Sequence, residues 1–210
     1  MRQQRTGPIT VAFCAWLLLV IGGSVAMISY ATDPSDAGGS PPSWPADSAI
    51  ERADGTFTAL IFVHPHCPCT RASIAEFRRL LGAAATLPAI RVVMTVPPGV
   101  PDGWERDHLW RSLPRTLGVE PIVDRHGIET VRFGAATSGH VALYCAKGTL
   151  RFSGGITPAR GHEGYSLGRR AMLEILDGAA TDHDRTPVFG CPLLSSEGHA
   201  CCLDAGVATK

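Results

Sequence analysis

The sequence predicts an α/β protein, a mixed sheet flanked by helices, carried behind an N-terminal transmembrane helix. Three observations predict it. Ile9 to Tyr30 is a run of twenty-two residues without a formal charge. Beyond it, short stretches rich in β-branched residues alternate with stretches whose apolar residues recur at helical spacing. Last come two adjacent strand-like runs joined by a short glycine-containing loop, and a closing helical stretch.

At about 1.5 Å per residue the first segment spans a hydrocarbon core of ~30 Å. Arg2 and Arg5 precede it and no basic residue follows closely, which predicts a cytoplasmic N-terminus and an exported remainder. Ser29-Tyr30-Ala31 offers the small residues that a signal peptidase reads, but the apolar run is longer than a usual signal core, which favours an uncleaved anchor. Residues 1–31 are thus read as anchor or signal. Residues 32–54, dominated by Pro, Ser, Gly, Ala and Asp, are read as a flexible linker. The expected domain covers 55–185, and 186–210 form a cysteine-containing tail.

The domain opens with an apolar strand over residues 57–63. A helix follows from Thr70 to Leu81, with Ile74, Phe77, Leu80 and Leu81 on one face. The β-branched run Ala89 to Val96, stopped by Pro97-Pro98, is a second strand. Trp104 to Leu113 suits a helix ending before Pro114. Val119 to Asp124 supplies a short strand, and Gly127 to Phe133 a short helix or turn. Two strands, His140–Cys145 and Thr149–Ser153, flank Ala146-Lys147-Gly148, and Arg169 to Leu176 forms the closing helix. The order is β-α-β-α-β-β-α.

Composition narrows the function. Lys+Arg and Asp+Glu balance at 19 each, so no global field draws the chain to nucleic acid. The glycines at 154–155 and 161–164 are not followed by the Lys-Ser/Thr of a phosphate-binding loop. No Ser-His-Asp or paired-carboxylate arrangement stands out. Cys14 lies in the apolar segment as a packing residue. The exported part carries Cys67, Cys69, Cys145, Cys191, Cys201 and Cys202, and in an oxidising compartment such residues are staples or redox centres.

The informative stretch is His64-Pro65-His66-Cys67-Pro68-Cys69-Thr70, between the first strand and the first domain helix. A thiol at a helix N-terminus is favoured as thiolate, because unpaired backbone N–H groups and the helix dipole stabilise negative charge there. Thiolate is the form that attacks disulfides or binds metals.

The segment from Phe62 to Ile74, together with the element order, resembles the membrane-anchored thiol:disulfide oxidoreductases of the TlpA and ResA type, within the thioredoxin-like superfamily. The phrases Ser153-Gly-Gly-Ile156, Gly161-His-Glu-Gly164 and Phe189-Gly-Cys-Pro-Leu193 resemble the thioredoxin-like, membrane-attached bacterial group called RedB. The resemblance implies a thioredoxin-like fold with Cys67 as the attacking cysteine. Thr70 stands at the family's resolving position, and Cys69 makes a Cys-Pro-Cys of the usual Cys-x-x-Cys. The family's cis-proline before the hairpin falls by register on Thr137-Ser138-Gly139, where no proline is present.

Two chemistries follow. In the first, Cys67 is the nucleophile and Cys69, or alternatively Cys191, resolves the mixed disulfide. A disulfide between positions i and i+2 is strained, which suits an oxidant more than a reductant. The Thr70 hydroxyl caps the helix or donates to the thiolate. Partners are extracytoplasmic protein thiols or disulfides, and no cofactor is required. In the second, His64, His66, Cys67 and Cys69 form a nitrogen and sulfur set suited to copper or zinc, as in SCO-type chaperones of the same fold, with His140, His162 and Cys145 as possible neighbours. A third reading is a catalytically inactive thioredoxin-like interaction module. The pair Cys201-Cys202 with His199 binds metal, pairs elsewhere or is incidental.

Overall fold

The structure, a computed structural model, describes residues 7–194. They fall into two compact units that divide after Asp33. In the first unit one helix, α1 (Gly7–Thr32), is apolar all round, and its stretch Ile9–Thr32 is long and apolar enough to cross a membrane.

The second unit is built on a sheet that, among the described residues, has six strands in the order β3-β2-β1-β4-β5-β6. The centre is β1 (Thr58–Val63), whose six residues are all buried, as a strand covered on both faces requires. It runs parallel to β2 (Ala89–Val96), with Ile61 beside Val92, and antiparallel to β4 (His140–Tyr144), with Phe62 beside His140. Outside β2 lies parallel β3 (Ile122–Arg125). Outside β4 lie antiparallel β5 (Leu150–Gly154) and then parallel β6 (Arg185–Thr186). The helices are α2 (Pro68–Ala83), α3 (His108–Leu117), α4 (Ile128–Arg132) and α5 (Leu167–Leu176). A β1-α2-β2 crossover and a β4-β5 hairpin closed by α5, meeting at β1 and β4, make the thioredoxin-like arrangement that the element order predicts.

Alternation along β1 divides the core. Ala59, Ile61 and Val63 pack with Phe77 and Leu80 of α2 and Met172 and Ile175 of α5. Leu60 and Phe62 point to the other face, against Phe133, Tyr144, Ile50 and Leu193.

Four expectations are corrected. Helix α3 begins at His108, not Trp104, because Asp107 caps it by accepting from the Trp110 N–H at 2.9 Å. It also runs through Pro114, keeping Leu109 and Leu113 buried, and stops at Gly118 in the left-handed conformation. Residues 34–54 are not a free spacer. Ser35, Gly38 and Ser43 form isolated bridges to Val188, Ala135 and Thr149, and Trp44 packs edge-on against Phe133 and Tyr144 at 5.0 and 5.2 Å. The start of the expected tail is likewise part of the domain: Thr186 lies in β6, and Val188 and Leu193 are fully buried. Its remaining features, His199, Cys201 and Cys202, lie outside the described residues.

Candidate active site

The chain leaves β1 at Val63 and turns through His64–Cys67, where the Cys67 N–H donates to the His64 carbonyl at 3.2 Å. Cys67 is the N-cap of α2, in extended conformation, and Pro68 occupies the first helical position, where a missing N–H costs nothing. The helix could not start better for a thiolate. The Cys69 N–H of its first turn favours charge on the Cys67 sulfur, as does the positive end of the helix dipole.

A second cysteine arrives from far along the chain. The Cys67 and Cys191 sulfurs share a hydrogen bond at 3.1 Å, across 124 positions of sequence. The Cys191 thiol, its N–H, the Thr70 hydroxyl and the Cys69 N–H together stabilise the Cys67 anion. Led by the Cys191 thiol, they outweigh burial and pull Cys67 down to about 5. At neutral pH its sulfur is a thiolate while almost wholly enclosed, at 4% exposure. Cys69 goes the other way. Burial, then the negative charge of Cys67, push its thiol up to about 11, so it stays protonated and donates a hydrogen bond to Cys67. Among the described residues none of the five cysteines is in a disulfide.

The loop before β4 completes the enclosure. Ser138 is fully buried. Its Oγ accepts from the His64 N–H at 2.9 Å and shares a proton with Thr70 Oγ1 at 2.8 Å, while its N–H donates to the Cys191 carbonyl at 2.8 Å. Gly139, at φ 92°, donates to the Phe62 carbonyl at 2.8 Å. A Cβ there would stand 2.6 Å from Ser73 Oγ, so only glycine fits this close approach. On the opposite side, His66 lies over Trp104 at 4.5 Å with its Nε2 3.0 Å from the Trp104 carbonyl. His64 meets the same indole edge-on at 5.1 Å, and burial drives it down to about 4, so it is neutral at physiological pH.

Behind Cys69, fully buried Glu76 of α2 accepts from Arg169 at 2.9 Å and from the Gly164 N–H at 2.8 Å, and also pairs with Arg79. These contacts fix the loop 160–164, whose Arg160 donates to the Gly190 carbonyl and lends positive charge to Cys69.

The sequence-predicted residues are sorted by this geometry. Cys67, Cys69, Thr70 and Cys191 come together. Thr70 is not the cap: it sits in the first turn, its own N–H donates to the Cys67 carbonyl, and its hydroxyl serves Cys67, His64 and Ser138. His140 faces away from the site, where Ser40 and Ser153 hold its Nε2 at 2.9 and 3.2 Å. His162 is exposed against the Arg160 carbonyl. Cys145 follows Tyr144, which pairs with Thr58 at the opposite end of β1 from Cys67. His64 and His66 are spread across the Trp104 ring, and among the described residues no three His, Cys, Asp or Glu side chains converge as a metal would need. The proposed copper or zinc set therefore does not fit as arranged. Ser138 and Trp104 are the site residues that sequence reasoning did not assign. The first carries only a register signal and the second none.

No protein-family model and no curated protein matches this sequence. Solved structures share the fold. A hypothetical protein from Sinorhizobium meliloti 1021 matches with TM-score 0.56 and 18% identity over 69% of this chain and 82% of its own. An uncharacterized conserved protein from Geobacillus kaustophilus matches with TM-score 0.57 and 16% identity over 77% and 93%. The exposed lipoprotein thioredoxin Etrx1 from Streptococcus pneumoniae strain TIGR4 gives TM-score 0.44 and 17% identity over 60% and 86%. At these identities the first two likenesses are of fold alone.

Proposed function

We propose that this chain exchanges disulfides with other proteins, with Cys67 as nucleophile, Cys191 as resolving cysteine and Cys69 as a protonated donor that tunes Cys67. The observation that carries the reading is the 3.1 Å approach of Cys191 to a Cys67 sulfur held low at about 5.

The Cys67 thiolate attacks one sulfur of a partner's disulfide, forming a mixed disulfide and releasing the other sulfur as thiolate. Cys191, after losing its proton to solvent, attacks the Cys67 sulfur, forming Cys67–Cys191 and releasing the partner's second thiolate. The partner gains two electrons and this chain loses them, and the reverse sequence oxidises a dithiol partner. A Cys67 thiolate of low pKa is also a good leaving group, which favours the reverse direction. The Thr70 hydroxyl and the Cys69 N–H in the first turn of α2 stabilise the Cys67 thiolate both before it attacks and when it leaves.

The helix α1 serves in this reading as a single-pass anchor in the cytoplasmic membrane. The folded unit then works on the extracytoplasmic side, where oxidised thiols persist. The metal-delivery alternative draws no support from the geometry, because its candidate ligands do not converge.

The test uses full-length protein in detergent with a disulfide substrate such as insulin or oxidised glutathione. Cys67→Ser abolishes exchange, Cys191→Ser accumulates a mixed disulfide at Cys67 detectable by mass spectrometry, and Cys69→Ser retains turnover. Full activity of the Cys191→Ser variant, with loss in Cys69→Ser, transfers the resolving role to Cys69.

A further inference from the structure

Cys67 is closed off by the segment that carries Cys191, and the way this segment is seated is unusual in being confined to a few residues. Upstream, the chain is firmly fixed: Thr186 pairs in β6, Val188 is fully buried, and the Val188 carbonyl accepts from the Ser35 N–H at 2.9 Å. Downstream from Gly190 the segment lies along the 136–138 loop. The Cys191 carbonyl accepts from the Ser138 N–H, the Leu193 N–H donates to the Ala136 carbonyl at 2.9 Å, and Pro192 lies opposite Thr137 in an antiparallel bridge. Ser35 Oγ and Arg160 donate to the Gly190 carbonyl. Leu193 is fully buried, and half-buried Leu194 lies over Gly127.

Gly190 sets the register of this short strand. A Cβ at this position would lie 2.1 Å from the Ser138 carbonyl oxygen and 3.1 Å from Thr137 Cγ2. The first of these is backbone and has no rotamer to adopt, so any other residue at 190 lifts the segment off the 136–138 loop.

We infer that Gly190–Leu194 is a strap that swings out about its anchored Val188 end to admit a protein disulfide to Cys67, and that Gly190 is the positioning residue that returns Cys191 to the same sulfur. This deepens the proposed function, since it rests on Cys67 being the reacting atom. No covalent bond changes when the strap leaves. Two backbone hydrogen bonds, two side-chain bonds to the Gly190 carbonyl and the Cys67–Cys191 contact are lost, and the Leu193 side chain is exposed. The strap shields the thiolate from bulky partners while closed, and its return places Cys191 beside the mixed disulfide.

The experiment measures alkylation of Cys67, located by peptide mass spectrometry, in reduced full-length protein in detergent. Iodoacetamide serves as the small reagent and a polyethylene-glycol maleimide as the bulky one. The background is Cys191→Ser, which keeps the strap seated without its thiol. Adding Gly190→Ala raises the bulky-reagent rate by at least roughly ten-fold and the small-reagent rate by much less. Adding Leu193→Ala instead, which creates no backbone collision, raises the bulky-reagent rate in the same sense. Equal bulky-reagent rates in all three proteins overturn the inference, as does a rise that is the same for both reagents, which reports general loosening. Because the readout is alkylation and not exchange, a strap that opens as stated in a protein that exchanges no disulfides would sink the proposed function alone.

Discussion

The sulfur of Cys191 lies 3.1 Å from that of Cys67, and its thiol is the largest single influence holding Cys67 as an anion. Replacing Cys191 by Ala removes that donor and leaves the backbone N–H. A hydrogen bond to a charged group is worth about 1.5–3 kcal/mol, so the pH midpoint of Cys67 alkylation rises from about 5 by about one to two pH units. An unmoved midpoint would assign the anion's stability to the helix terminus instead.

Ser138 links three backbone segments through one buried hydroxyl and one N–H. Ser138→Ala leaves the His64 N–H without its acceptor and should cost about 1–3 kcal/mol in urea unfolding. It should also raise the Cys67 midpoint slightly, because Thr70 loses the neighbour that orients its hydroxyl. Stability equal to wild type would show that the His64 N–H finds another acceptor.

Buried Glu76 joins α2 to α5 and to the 160–164 loop. Glu76→Gln strips the charge that Arg169 faces, and breaking a buried pair on one side costs about 3–5 kcal/mol. Because Arg169 is 26% exposed, the lower end is expected. Chemical denaturation of the variant measures it, and a change below about 1 kcal/mol would place this network in the class of surface ion pairs.

Stability of the reduced protein should depend on pH chiefly through three depressed groups, Cys67, His64 and His140. Cys67 titrates near 5 folded against 9.0 unfolded. The unfolded state binds more protons between those values, so stability rises with pH across that window and is lost as pH falls through about 5. His64 and His140, both buried and held near 4 chiefly by desolvation, act in the same direction between 4 and 6.5. Melting temperature should therefore climb from pH 4 to pH 9. Cys67→Ser should flatten the climb above pH 6.5 while keeping it below.

Much of this was legible from local pattern. The turn carrying Cys67 follows from a continuous apolar run and an amphipathic helical stretch on either side of it, all within twenty-odd residues. The β4-β5 hairpin reads equally well, from two β-rich runs and a glycine loop. What was not legible is what depends on distant contacts. Cys191 reaches Cys67 across most of the domain, and no local signal ranks it above adjacent Cys69. Composition reads residues 32–54 as a spacer, yet Ile50 is buried, Trp44 packs half-buried against the core, and Ser40 and Ser48 bond to His140 and Glu129, which composition does not encode. His140 sits at the register position expected, but the partner serines that turn it away from the site come from residue 40 and residue 153.

The 124-position separation between Cys67 and Cys191 has a thermodynamic corollary. A Cys-x-x-Cys pair remains close even in a denatured chain, whereas these two sulfurs meet only when the domain is folded. Once joined, they would close a loop of most of the domain, and such a cross-link restricts the denatured ensemble by about 4–5 kcal/mol in the chain-entropy account. By linkage, that same quantity favours forming the bond in the folded over the denatured chain, so a variant whose reduced form is largely unfolded closes it less readily and gives it up more easily.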